Sequence, residues 1–405
     1  NRIKKLVARE LREVLGEACG CSPDRFMVCA THAHNGPGLV PWRPDDDSYE
    51  PLDRMRETVA ELAVETLDKL QPATLEFARC EAPGWVECRR NVYRAPDGRE
   101  QVGTGGPRDG TDFLRAESPD ESELRVVLAV NVDDKPIGGI VNFPCHPTTM
   151  YSVPEISSDY PGVLLGRLEE KWDCPFTFLT APAGDQRPSK SLPGDPNPSA
   201  TTFCERMGEG LAEAADEALG RREPCADGPV TVRSRELKIP RRSPTADQVL
   251  TARAHVEAII RGERPDPLPP RLYGYQWHFR HGGAKVDDWL AREVVGMWEA
   301  LRRTEAREIE EEVEVQCIEA GGLAIVSFPC ELFSRFGRRM REESGRPHLL
   351  LAEQANGHHG YIPRPEDFAR GGYECCFAWQ SRLAPDAGPR MTQAALAFFH
   401  GDNGR

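Results

Sequence analysis

The chain has 405 residues, 39% hydrophobic and 29% charged, with a formal net charge of −14. Such a length buries a substantial core and by itself allows one to three domains. No uncharged apolar run of about 18 residues occurs, which excludes a membrane-spanning helix. The basic clusters, Arg241-Arg242 and Arg338-Arg339, are short and isolated, so the concentrated basic face that nucleic acid requires is missing. The 13 cysteines contain no CxxC pair, only a lone CxC (Cys19, Cys21) and the vicinal Cys375-Cys376, so neither a zinc ribbon nor a disulfide scaffold is expected. Cys29, Cys145, Cys317 and Cys330 lie in or beside apolar runs, where a thiol serves as a small hydrophobe. An odd count without a disulfide pattern leans towards a reducing, cytoplasmic compartment. The sequence begins at Asn1, inside an amphipathic helix and without a signal core, so the native start is expected upstream.

In chain order, Ile3 to Leu15 reads as a helix ending near Cys19-Gly20, and Phe26 to Ala30 as a strand. Asp53 to Leu70 is helical, with apolar Val59, Leu62, Ala63, Leu67 and Leu70 on one face. Residues 95–122, rich in Gly, Asp and Pro, read as a long loop, and Gly103 to Gly110 lacks the strand and helix that a phosphate-binding loop needs. Strands follow at Leu124–Val132 and Ile137–Phe143. A helix runs from Tyr160 to Lys171 with Pro161 in its first turn, then a strand at Phe176–Thr180. Pro188 to Ala200 is an irregular loop; Phe203 to Leu219 is a helix and Val230 to Ile239 a strand. Arg241 to Asp288 has no clear pattern, Trp289 to Ala306 is helical, and Glu312–Glu319 with Leu323–Phe328 forms a hairpin around Ala320-Gly321-Gly322. Strands alternating with helices imply an α/β protein with mixed sheets. No repeat or linker divides it, so residues 1–405 are expected to form one catalytic domain with insertions.

Three strand ends carry chemistry. Residues 140–146 read Ile-Val-Asn-Phe-Pro-Cys-His and residues 325–331 read Ile-Val-Ser-Phe-Pro-Cys-Glu. Each is a buried run stopped by a proline that cannot donate to a ladder, followed by a potential ligand at a rigid strand end. Taken singly, each also reads as an ordinary strand end with a capping His or a surface Glu. His32 and His34, at i and i+2, would face the same side of a strand, a frequent zinc arrangement, and Gly36-Pro37-Gly38 follows as a tight turn. Metal-binding TIM-barrel hydrolases also open with HxH but need further His and Asp at later strand ends, where this chain offers one His and one Glu. His358-His359 is either a metal-binding pair or part of a polar loop over a site. His255, His278, His281, His348 and His400 read as surface or capping residues.

These segments resemble the neutral (non-lysosomal) ceramidase family, in its zinc-bearing N-terminal catalytic domain. Thr31-His32-Ala33-His34-Asn35-Gly36-Pro37-Gly38 is similar to the family's T-H-T-H-S-G-P-G, and His146-Pro147-Thr148-Thr149-Met150 to H-P-T-S-M. Ser157-Ser158-Asp159 resembles the S-S/A-D segment, and Gly184-Asp185 the start of G-D-V-S-P-N. Pro329-Cys330-Glu331 with Gly337-Arg338-Arg339 resembles P-G-E-x-T-T-x-x-G-R-R. Gly360-Tyr361-Ile362, with Glu366 and Tyr373-Glu374, resembles Y-I-T-T-x-E-E-Y followed by R-Y-E. The resemblance implies Zn2+ held by His32, His146, Glu331 and Tyr361. It also implies His34 as general acid/base or substrate-orienting group, Arg89 facing the substrate carbonyl, and Asp185 in the catalytic loop. Arg187 stands where the ceramide-cleaving members have serine, so either metal-activated water works alone or the reaction differs from ceramide amide hydrolysis. The family's C-terminal immunoglobulin-like domain and first strands have no counterpart here. The function expected is a zinc-dependent hydrolase of an amide or ester bond in a small or lipid-like substrate. The rival is a binding protein that keeps zinc as a structural staple; a deacylase or phosphatase acting on another oxyanion is a third reading, and no glycine loop supports phosphate chemistry.

Overall fold

A computed structural model describes residues 3–36, 50–94, 96–103, 112–189, 197–266, 268–269, 283–304 and 309–400. Pro37, Gly38, His278, His281, most of the Gly103–Gly110 loop and the middle of the Pro188–Ala200 loop lie outside the described residues. The strands are β1 (Ala73–Glu81), β2 (Val86–Cys88), β3 (Asn91–Arg94), β4 (Glu100–Gly103), β5 (Asp112–Ala116), β6 (Glu123–Asn131), β7 (Pro136–Phe143) and β8 (Phe176–Thr180). They continue with β9 (Gln186–Pro188), β10 (Glu223–Pro224), β11 (Val230–Pro240), β12 (Glu310–Ala320), β13 (Leu323–Ser327), β14 (Glu331–Leu332), β15 (His348–Ala352) and β16 (Tyr361–Ile362). The helices are α1 (Lys5–Cys19), α2 (Glu50–Asp68), α3 (Asp159–Trp172), α4 (Ala200–Leu219), α5 (Ala246–Ile260), α6 (Gly283–Arg303), α7 (Ser334–Glu343), α8 (Asp367–Arg370) and α9 (Ala387–His400).

Two sheets carry the architecture, one ordered β10-β1-β6-β7-β8 and the other β11-β12-β13-β15. They follow one plan. In the first, β1, β6 and β7 pair antiparallel and β7 then pairs parallel with β8. In the second, β11, β12 and β13 pair antiparallel and β13 then pairs parallel with β15. A parallel step needs a crossover, and α3 and α7 supply it. The twin Phe-Pro-Cys motifs fall where each strand gives way to its crossover. Along β6, Leu124, Val126 and Leu128 point to α3 and α4, while Val127 joins Phe77, Leu323 and Leu350 between the sheets. Burial on both faces explains the unbroken apolar run of β6. On the far side, Val313, Val326 and Leu351 pack against Phe336 of α7 and Met391 and Phe398 of α9. The result is a helix–sheet–sheet–helix stack.

Three sequence expectations need correction. Phe26 to Ala30 is not a strand; it is an extended segment with a single bridge, Cys29 to Ala355. The supposed loop at 95–122 contains β4 and β5, which flank β3 in a small sheet. Arg241 to Asp288 contains α5, started by a capping box in which Thr245 and Gln248 bond each other's backbone N–H, a signature of helix N-termini that the sequence displays.

Asn142, buried on β7, donates through Nδ2 to Leu179 O of β8 (2.8 Å) and to Leu351 O of the other sheet (3.0 Å). Asn142→Ala is expected to lower unfolding free energy by about 2–3 kcal/mol, because two buried carbonyls lose a donor. Urea titration measures it, and an unchanged midpoint would show that the sheets do not depend on this bridge.

Candidate metal centre

The ends of both sheets meet under the segment 28–34. Ala30 N donates to Gln354 O (3.1 Å) and Asn356 N to Val28 O (2.8 Å), both beyond β15. Thr180, at the end of β8, donates its hydroxyl to Thr31 O (2.8 Å). His32 then takes a left-handed backbone, φ 67°, rare for a residue with a Cβ. Strand alternation therefore does not aim the two imidazoles, as the sequence reading supposed; this turn does. The backbone of His34 bonds Pro147 O (3.3 Å). The Asn35 amide clamps Met150 O and Val153 O (both 2.8 Å) and Glu155 O (3.2 Å).

His32, His146 and Glu331 are wholly buried. His146 Nε2 lies 3.1 Å and His32 Nε2 3.5 Å from Glu331 Oε2. His34 Nε2 lies 3.4 Å from His32 Nε2. The ligand atoms of His32, His34 and His146 all fall within 4.8 Å of one another, a cluster able to hold a metal ion. His146 Nδ1 is 2.9 Å from Gln186 O. That carbonyl accepts the Nδ1 proton and leaves Nε2 as the electron-pair donor, the outer-shell arrangement typical of metal-binding histidines. Burial lowers the His146 pKa to about 4, outweighing the opposing pull of Glu331, so the ring is neutral at neutral pH. Burial alone would raise Glu331; His32 and His146 instead hold it well below the ordinary carboxylate range.

Glu331 and Tyr361 are register partners in the parallel β14–β16 ladder, with the Tyr361 hydroxyl within electrostatic reach of Glu331. Burial, with Glu331 beside it, keeps this hydroxyl protonated against the pull of Arg89. The Arg89 guanidinium lies over the Tyr361 ring, 5.0 Å from its centroid, and is held by Glu374 at 2.6 Å. Burial opposes its charge, but Tyr361, Glu374 and Glu331 keep it cationic. Its Nη2 is buried with no hydrogen-bond partner among the described residues.

Asp185 faces elsewhere. It accepts from Ser118 Oγ (2.5 Å), Ser334 N (2.7 Å) and Ser334 Oγ (3.0 Å), satisfying an orphan N–H at the start of α7. Burial raises its pKa against those three donors. The preceding Gly184 is needed for close approach: a Cβ there would stand 2.5 Å from Glu331 O. Arg187, in the serine's place, pairs with Glu87 at 2.7 Å across the β2–β9 ribbon.

Two further neighbours stand at the site: His358, which the sequence reading left open between metal ligand and site loop, and Glu353, which it did not name. His358 Nδ1 bonds Gln354 Oε1 (3.0 Å), and its Nε2 stands 3.8 Å from Glu331 Oε1; the His-His pair in a glycine-flanked loop was the available signal. His359 turns away to Glu311, 3.4 Å from Nδ1. Glu353 is buried behind Glu331, its Oε2 accepting from Ala183 N and Leu332 N (both 3.1 Å), and nothing in the sequence marks it. Its pKa is driven well above the ordinary 4.5 by burial and then by Glu331.

Among solved structures, neutral ceramidase from Pseudomonas aeruginosa superimposes with a TM-score of 0.62 at 18% identity, over 98% of this chain and 65% of that one. A ceramidase complexed with C2 gives 0.62 at 17% identity, over 98% and 66%. The chain thus has the neutral-ceramidase fold and spans slightly less than two thirds of the length of these proteins. No protein-family model and no curated protein matches the sequence. Among the described residues no helix is long and apolar enough to cross a membrane.

The Glu353 shift gives a test with a definite sign. A carboxyl whose folded pKa is raised contributes fully below about 4.5 and loses stability as pH rises through the window above, by about 1.4 kcal/mol per pH unit while only the unfolded chain ionises. Glu353→Gln keeps the acceptor for Ala183 and Leu332 and removes that slope. Unfolding free energies measured at about pH 5 and pH 7 should therefore shift in favour of the variant at the higher pH; parallel slopes would mean that Glu353 ionises normally.

Proposed function

We propose that the protein is a metal-dependent hydrolase, with zinc as the metal, acting on an amide or ester bond of a small or lipid-like substrate. The observation that carries this reading is the meeting of three imidazoles and a buried carboxylate beside a buried arginine, within the neutral-ceramidase fold. The donor set suits zinc: neutral imidazole nitrogen and carboxylate oxygen, buried and outer-shell supported. His32, His146 and Glu331 form its base. When bound, the ion supplies a Lewis acid that acidifies water and polarises a carbonyl.

The chain's own residues supply the rest. Arg89, pinned by Glu374 and carrying a free Nη2 donor, stabilises the oxyanion that develops on the substrate carbonyl. Asp185 acts as a positioning residue, fixing the 184–188 loop against α7 and so holding Gln186 O on His146. Because Arg187 is engaged with Glu87, no side-chain nucleophile stands at the serine's position. The same ion pair favours the second reading, a binding protein in which the metal serves the fold.

Purified protein is expected to carry close to one zinc per chain and to lose it in His146→Ala; full zinc retention in that variant would overturn the ligand set. A panel of N-acyl and O-acyl substrates, run with and without chelator, should give chelator-sensitive turnover, whereas none on any substrate would favour the binding protein. Arg89→Met should lower kcat by about 10²–10³-fold with zinc content unchanged; an unchanged kcat would remove Arg89 from the chemistry.

A further inference from the structure

We infer that Arg90 is a positioning residue for Arg89. By occupying the second oxygen of Glu374, it keeps that carboxylate from closing on two donors of Arg89 and so leaves Arg89 Nη2 to the substrate. This role rests on the oxyanion function proposed for Arg89 above, and concerns what holds that guanidinium in its working form.

A carboxylate and a guanidinium left to themselves pair as a fork, through two parallel N–H···O bonds. Glu374 pairs differently. Its Oε1 accepts from Arg89 Nε (2.6 Å) and its Oε2 from Arg90 Nη1 (2.5 Å), so one wholly buried carboxylate is divided between two consecutive arginines. Burial would raise the Glu374 pKa, yet Arg89 and Arg90 together bring it below its ordinary value. The share left to Arg89 is a single bond at Nε, and Nη2 is the donor without a partner among the described residues.

Arg90 is itself fixed from several sides. It is wholly buried, donates from Nη2 to Gly371 O (2.9 Å) and from Nε to Glu117, and lies over the Phe333 ring at 5.3 Å from its centroid. Gly372 makes the room: a Cβ there would stand 2.6 Å from Arg90 Nη1, at a φ of +104° that side chains rarely adopt. Glu117 is held in turn by Arg370 (2.8 Å), and Arg370 by Asp367 (3.1 Å). Charges thus alternate from Arg89 to the partly exposed Arg370, and displacing a buried member would leave its partner unpaired. Stripped of Arg90, Oε2 would turn to Arg89, the guanidinium already bound to the same carboxylate, and take up Nη2.

Kinetics separate this role from bulk stability. Arg90→Met combined with Glu117→Gln removes both charges of that link together. On acyl substrates that the wild-type chain turns over, its kcat should approach the roughly 10²–10³-fold loss of Arg89→Met, with KM and zinc content little changed. In the Arg89→Met background the same pair of substitutions should cost less than about threefold more. An equal further loss there would make Arg90 a support of the fold alone and sink the inference. Arg90→Lys keeps a donor on Oε2 and a charge beside Glu117, so it should fold and retain kcat within about tenfold; a loss as deep as that of Arg89→Met in folded, zinc-loaded protein would overturn the role by itself. A crystal structure of the Arg90→Met, Glu117→Gln chain reads the geometry without turnover: Glu374 should span Nε and Nη2 of Arg89, and a Glu374 still bound through Nε alone would contradict the inference. An unchanged kcat in Arg89→Met would fail the oxyanion reading itself, whereas a loss in Arg89→Met with none in the Arg90 variant fails only the role given to Arg90.

Discussion

A carboxylate stripped of water must be compensated, and Glu331 sets that requirement for everything around it. An isolated buried charge costs several kcal/mol, and pairing recovers it only when geometry is good and the remaining lone pairs are satisfied. The chain meets this by bringing remote segments to one point. The 28–34 stretch is strung between the ends of the two sheets, the 184–188 loop is pressed onto β14, and the 353–360 turn curls back past Cys330 and Pro329. Positive φ at His32, Gln354 and Asn356, each costing about 1–2 kcal/mol in a residue with a Cβ, occurs in the two segments that flank the carboxylate.

The two half-sites share an origin in topology. His146 and Glu331 follow the same Phe-Pro-Cys sequence, at the same point of the same strand–crossover–strand plan, in sheets packed face to face. That is why their similarity could be read from sequence: a buried run ended by proline has one structural meaning in either copy, and stacking brings equivalent strand ends together. Long elements with clean periodicity, such as α2, α4 and the hairpin of β12 and β13, were legible for the same local reason.

What escaped the sequence depended on partners far along the chain. Phe26 to Ala30 has the composition of a strand, but its neighbour is the irregular turn after β15, so pairing stops at one bridge. The Gly- and Pro-rich stretch after β3 hides two short strands, β4 with a single buried apolar residue, Val102, and β5 largely exposed. The burial of Glu353 behind Glu331 follows from the 353–360 turn, and no local pattern marks it; the His358-His359 pair flagged that turn without saying which histidine faces Glu331. The outward engagement of Asp185 likewise depends on Ser118 and Ser334, 67 and 149 residues away. Conversely, the segments that carry the family resemblance are brought together in space, with His32 and His146 beside Glu331 and Tyr361 paired with it across the β14–β16 ladder.

His146 and Glu331 lie 185 residues apart in sequence, each rooted in a different sheet. An ion gripped by both, as proposed, would be a cross-link between the two halves of the molecule, closing a loop long enough that the unfolded chain would forfeit considerable freedom to form it. In that respect it would do for this cysteine-rich but unbridged chain what a covalent sulfur bond does for secreted folds. Holding the halves in register and completing the proposed site would then be one task, given to one ion.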